Sequence, residues 1–141
     1  MSKPAGRFVL DTNTLVSAFL FPESAPGKTL SFVLSHGQLL MSLDLATELA
    51  EVLRREKFDR YLTRKRREEL VAAAIRQSYF VAPTAEIAVC RDPEDNKVLE
   101  LSVDGSATAL VTGDADLRAL HPFQGIPILG PRDFLSHYAV T

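Results

Sequence analysis

The sequence predicts an α/β fold, a sandwich built on a mainly parallel sheet, and three observations carry that prediction. Short apolar runs such as "GRFVLD", "QLLMS" and "ATALVTG" alternate with segments of helical periodicity. The first run has no polar alternation, as suits a strand buried on both faces. Pro and Gly fall between the periodic segments, where a chain changes direction.

Taken in order, "GRFVLD" is the first strand. "TNTLVSAFLF" follows with helical spacing at Leu15, Phe19 and Leu20, and Pro22 ends it. "SAPGKTLSFVLSHG" opens on a Pro26-Gly27 turn signal and becomes a helix stopped by Gly37. "QLLMS" is the second strand. "LDLATELAEVLRRE" is an amphipathic helix with Leu45, Leu49, Val52 and Leu53 on one stripe, and "RKRREELVAAAIRQSYF" is another, apolar through Leu70, Val71, Ala74 and Ile75. "YFVAP" is a third strand, "RDPED" a turn and "NKVLELSVD" a helix. "ATALVTG" is the fourth strand, "DADLRAL" a short helix, "IPILG" the fifth strand, and "PRDFLSHY" a helix begun by Pro131.

With 141 residues, 46% of them apolar and 24% charged, the chain reads as a single globular domain over 1–141. No apolar run spans a bilayer, and the first apolar stretch is too short for a signal peptide, so the expected setting is cytoplasmic with no membrane partner. The lone Cys90 excludes an intrachain disulfide and gives no zinc-ligand spacing. Charge is uneven. Of 16 Lys and Arg, eight lie between Arg54 and Arg67, against only Glu56 and Asp59. That stretch carries about +6 and the rest about −8. It suits either a nucleic-acid contact or a solvated helical hairpin.

The acids fall on this map in a pattern. Asp11 directly follows the first strand, and Asp114 follows the fourth, after Thr112 and Gly113. Both stand at strand carboxyl ends, where such folds place their sites. Asp95 opens a helix, while Glu48 flanks the apolar stripe of its helix and Glu51 points away. Each Asp taken singly is a good helix cap, and Glu48 a surface acid. Gathered together they are costly: two carboxylates about 5 Å apart repel by roughly 3 kcal/mol at an effective dielectric near 20. A divalent cation offsets that, and oxygen donors without His or Cys select Mg²⁺ or Mn²⁺.

"VLDTNTLVSA", "LATELAEVLRREKF", "CRDPEDNKVLEL" and "LVTGDADLRAL…IPILGPRDFL" together resemble the PIN-domain family, in particular the VapC-like toxins of bacterial toxin–antitoxin systems. The likeness runs over almost the whole chain, in order. It implies a three-layer, PIN-like α/β sandwich with a five-stranded parallel sheet and a metal-dependent ribonuclease. Carried over by position, the family acids match Asp11, Glu48, Asp95 and Asp114, with Asp116 as a further or water-bridged ligand. Asn13 and Thr112 match polar supporting positions. Asp92 and Glu94 rival Asp95, which is preferred because Asp92-Pro93 has the form of a turn.

The expected activity is hydrolysis of single-stranded RNA with one or two Mg²⁺ or Mn²⁺ ions. Arg54, Arg55, Lys57, Arg60, Arg64, Lys65, Arg66 and Arg67 would track the RNA backbone. An antitoxin and a second copy of the chain are the expected protein partners. His36, His121 and His137 lie near element ends and read as surface or capping residues rather than general bases. Two other readings compete. "LDTNTLV" is similar to the dehalogenase-type phosphatase loop, but that loop's second acid is Asn13 here, and an amide cannot give a proton. "GKT" lacks the earlier glycine and the leading strand of a P-loop. A PIN-like protein that binds RNA or a partner without cutting is the non-enzymatic alternative.

Overall fold

A computed structural model describes residues 5–139. In it five short strands pair in parallel: β1 (Arg7–Leu10), β2 (Gln38–Met41), β3 (Tyr79–Phe80), β4 (Ala109–Val111) and β5 (Ile128–Leu129), in the order β3-β2-β1-β4-β5. Phe8, Val9, Leu10, Leu39, Leu40, Met41, Leu110 and Val111 are all fully enclosed, as strands covered on both faces require.

α1 (Thr12–Leu20) and α2 (Ala25–His36) join β1 to β2, and α3 (Leu43–Leu53) and α4 (Arg64–Gln77) join β2 to β3. α5 (Asn96–Asp104) leads into β4, the four-residue α6 (Ala115–Arg118) into β5, and α7 (Pro131–Tyr138) closes the chain. Parallel crossovers are right-handed. The sheet grows from β1 to β2 to β3 in one direction and then returns to β4 in the other, so α5 lies on the opposite face from the first four helices. α5 accordingly packs on β1, β2 and β4, while α7 returns to α2. There the Phe134 ring meets Phe8 edge-on, with centroids 5.0 Å apart, and Phe32 at 5.8 Å. Among the described residues no helix is long and apolar enough to cross a membrane.

Helix starts follow the polar signals. Ser24, Ser42 and Thr63 each accept from the backbone N–H three residues on, at 3.2, 3.2 and 3.1 Å. Such a cap contributes about 1 kcal/mol. At Gly27 the constraint is space. A Cβ there would lie 2.2 Å from the Pro22 carbonyl oxygen and 2.6 Å from that of Phe21, so only glycine lets the α1–α2 turn close.

Two segments differ from the periodicity. α3 stops at Leu53 rather than continuing to residue 56, and a single 3₁₀ turn, Glu56–Phe58, follows. The cause lies in α4: Arg67 is 1% exposed, and its guanidinium donates to the Leu53 carbonyl at 2.7 Å and the Arg55 carbonyl at 3.0 Å. It also donates to the Asp59 carboxylate. Carbonyls at a helix C-terminus lack intrahelical donors, and Arg67 supplies them. The second difference is the "YFVAP" strand, of which only Tyr79 and Phe80 pair with β2. Beyond it the chain is a strap hung on α5 side chains. The Thr84 and Ala85 amides donate to the Asp104 carboxylate, the Ile87 amide to Glu100 at 2.9 Å, and the Val89 and Cys90 amides to the Asn96 side-chain oxygen. Asn96, Glu100 and Asp104 recur every fourth residue, on one helix face.

Candidate active site

The sheet reverses its order of growth between β1 and β4, which is where ligands bind in open α/β sheets. Leu10 pairs with Val111 there, so the next residues, Asp11 and Thr112, emerge side by side. The Thr112 hydroxyl, fully buried, donates to Asp11 Oδ2, and its oxygen accepts from the Asp114 amide at 3.0 Å. Asp11 Oδ1 accepts from the Thr14 amide at 3.0 Å, capping α1. Asp11 is therefore both a cap and a pocket wall. Asp114 Oδ1 accepts from the Asp116 amide at 3.0 Å, which likewise caps the short α6.

Asp95 differs from both. It sits at the junction of the 3₁₀ turn Pro93–Asp95 with α5, with helical backbone angles and no capping hydrogen bond. Asp92 takes the capping role, accepting from the Glu94 amide at 3.0 Å. The Asp95 carboxyl thus caps nothing, and it lies near enough to Asp114, Asp92 and Asp11 to feel their charges. Burial, then the charges of Asp114, Asp92 and Asp11, push its pKa up to about 6. Burial and the Asp95, Asp114, Asp92 and Asp116 charges likewise push the Cys90 thiol up. Three carboxylates of the predicted set, Asp11, Asp95 and Asp114, therefore share one field.

The rest of the set stands further out. Glu48 is half-buried on α3. Its charge acts on Lys97, together with Glu94 and Asp44, and Lys97 pairs with Glu94 at 2.9 Å. Asp116 and Asn13 are exposed at the starts of α6 and α1. Arg54, Arg55, Lys57, Arg60, Arg64, Lys65 and Arg66 are exposed along the α3–α4 connection. Arg67 is the correction to the RNA-tracking group: buried and fully engaged with that connection, its guanidinium has no face left for a phosphate. His36 and His137 are exposed in the last turns of α2 and α7, and His121 Nδ1 accepts from the Ile128 amide at 2.9 Å.

A pocket of about 430 Å³ opens beside the acids, walled by Asp11, Asn13, Ser17, Pro26, Asp114 and Pro131. Ser17 was missed in the sequence, although it lies one helical turn beyond Asn13. Among the described residues no three His, Cys, Asp or Glu side chains stand in an arrangement ready to hold a metal ion. In kind the donors suit a hard divalent cation, since all are carboxylate or hydroxyl oxygens. The shared field of Asp11, Asp95 and Asp114 marks where positive charge is demanded.

The PIN domain family profile matches residues 7–116, which covers all four predicted acids. Over 122 residues the chain is 30% identical to the uncharacterized protein MJ1680 of Methanocaldococcus jannaschii, covering 85% of this chain and 78% of that one. Among solved structures it superposes on one from VapBC2 of Rickettsia felis, determined bound to a DNA fragment from their promoter. The TM-score is 0.62 at 11% identity, over 88% of this chain and 98% of the other, a likeness of fold. A five-stranded parallel sheet with acids at its switch point, the matching profile and the archaeal relative lead to one conclusion: the chain belongs to the PIN-domain family.

Proposed function

We propose that this chain is a Mg²⁺- or Mn²⁺-dependent ribonuclease that hydrolyses single-stranded RNA in the cytoplasm, as the toxin of a toxin–antitoxin pair. The observation that carries the reading is the emergence of Asp11 and Asp114 together at the switch point, tied through Thr112, with burial and then their charges pushing the pKa of nearby Asp95 up to about 6. A fold does not gather uncompensated carboxylates for its own stability.

Asp11, Asp95 and Asp114 would hold the cation, with Glu48 on α3 and Asp116 on α6 as the outer acids. When bound, the cation supplies Lewis acidity to activate water and offsets phosphate charge. The protein's own residues do the positioning. The Thr112 hydroxyl fixes Asp11 and, through the Asp114 amide, the turn that carries Asp114. Asn13 and Ser17 offer polar edges to a nucleotide entering the pocket. The exposed cations from Arg54 to Arg66 attract the backbone of the strand, a salt-sensitive contribution. An antitoxin is the proposed protein partner and a homodimer the proposed assembled form, both on the resemblance of the sequence to VapC-like toxins.

The rival reading, a PIN-like binder that does not cut, draws on the lack, among the described residues, of a ready three-acid ligand arrangement. One experiment separates the two. Labelled single-stranded RNA is incubated with the protein and Mn²⁺, beside an EDTA control and Asp11→Asn. Cleavage by the wild type that both changes abolish supports the nuclease. Binding without cleavage, or cleavage indifferent to both changes, sinks it.

A further inference from the structure

α1 is buried along its length except on one line. Asn13 and Phe21 are exposed and Ser17 is half-exposed, while Thr12, Thr14 to Val16 and Ala18 to Leu20 are buried. These three recur every fourth residue and so form one face. Asn13 and Ser17 wall the acid pocket, and Phe21 follows as the helix cap. At a rise of about 1.5 Å per residue, Phe21 lies about 12 Å along the helix from Asn13.

At Phe21 this line meets the basic connection. The Phe21 and Tyr61 rings stand 5.1 Å apart at 76°, and they are 46% and 47% exposed. The pair leaves two adjoining aromatic faces open to solvent. The Arg60 guanidinium sits 5.4 Å from the Tyr61 centroid, and Lys57 lies over Phe58 at 5.1 Å. The connection that presents Tyr61 is held by Arg67 from within, and the turn that presents Phe21 closes over Gly27. Two perpendicular rings among guanidinium and ammonium groups make a corner in which a planar base stacks on one ring and turns its edge to the other. An apolar peptide would bring nothing to meet the charges of Arg60 and Lys57, whereas a nucleotide brings both a flat face and an anion.

We infer that Phe21, Tyr61 and Arg60 form a stacking corner for an unpaired base of an RNA strand, reached from the acid pocket along the Asn13–Ser17–Phe21 line. The inference rests on the ribonuclease reading and adds a base-binding subsite to it. Because stacking accepts every base, the corner gives affinity and register with little sequence preference.

The test measures fluorescence anisotropy of a labelled single-stranded RNA of about 12 nucleotides, within the span of such sites, in EDTA so that nothing is cut. Tyr61→Ala and Phe21→Ala should each weaken binding about 5- to 150-fold, the range for losing one stacked base. Tyr61→Phe should bind like the wild type. So should Tyr79→Ala, which removes an equally exposed aromatic at the sheet edge. An RNA with one abasic position should weaken binding to the wild type at a single register, and Tyr61→Ala should add no further loss there. Unchanged affinity in folded Tyr61→Ala and Phe21→Ala overturns the corner and turns it into a protein-facing surface, while wild-type cleavage leaves the ribonuclease reading standing. If the wild type neither binds nor cuts RNA, the ribonuclease reading fails first, and the corner with it.

Discussion

Replacing Asp95 by Asn should stabilise the metal-free protein, and the size and pH dependence of the gain follow from the site. In the fold the Asp95 carboxyl titrates at about 6, against about 4 for an ordinary carboxylate. A displacement of that size corresponds to about 3 kcal/mol if wholly converted. Asp95 is half-exposed, and water screening reduces it to about 1 kcal/mol. The sign is set by proton binding. Between about pH 4 and 6 the folded state holds a proton that the unfolded chain has released, so wild-type stability rises as pH falls through that window. Above about pH 6 the full penalty applies. Asn carries no charge, so the variant should gain about 1 kcal/mol at about pH 8 and nothing at about pH 4. Urea unfolding in EDTA, followed by circular dichroism, reads both. A gain equal at the two pH values, or a loss at pH 8, refutes the shared-field account. With Mn²⁺ present the variant should also lose RNA cleavage, making Asp95 a position where function costs stability.

Four further outcomes follow. Mn²⁺ affinity, read by calorimetry, should tighten as pH rises through about 6, because the cation must displace the Asp95 proton. Thr112→Val should cost about 1–3 kcal/mol in urea unfolding, since it strands the Asp114 amide and removes a donor from Asp11. Arg67→Met should cost about 2–4 kcal/mol by the same assay, leaving the Leu53 and Arg55 carbonyls without their donor. Gly27→Ala should lower stability by about 1–3 kcal/mol, because the added methyl meets backbone rather than a yielding side chain.

What the sequence made legible follows from what each feature depends on. Leu45, Leu49 and Leu53 are a local pattern, and all three are buried in α3. Asp11 and Asp114 were placed by topology alone, since a parallel sheet puts strand carboxyl ends on one edge. The Arg67 clamp was illegible, because it depends on residues 54–63 folding back onto α4, and nothing in "RKRRE" distinguishes one arginine from its neighbours. The strap over 84–90 was equally hidden. Its amides pair with side chains of a helix that comes later in the chain, and this leaves no periodicity in the strap itself. Asp95 was chosen because it opens a helix, yet Asp92 does the capping and Asp95 is left free.

The bond from Thr112 to Asp11 joins residues 101 positions apart. That separation has a consequence during synthesis. A growing chain that has not reached β4 has neither the hydroxyl that fixes Asp11 nor the carboxyl whose charge reaches Asp95, and β1 lacks the neighbour that completes the switch point. Contacts of such long range also form late, because loop closure opposes them until the intervening segments have collapsed. Elongation at about 5–20 residues per second keeps the acids apart for several seconds of translation. A prematurely released fragment then lacks the pocket, which exists only on chains that have passed Pro131.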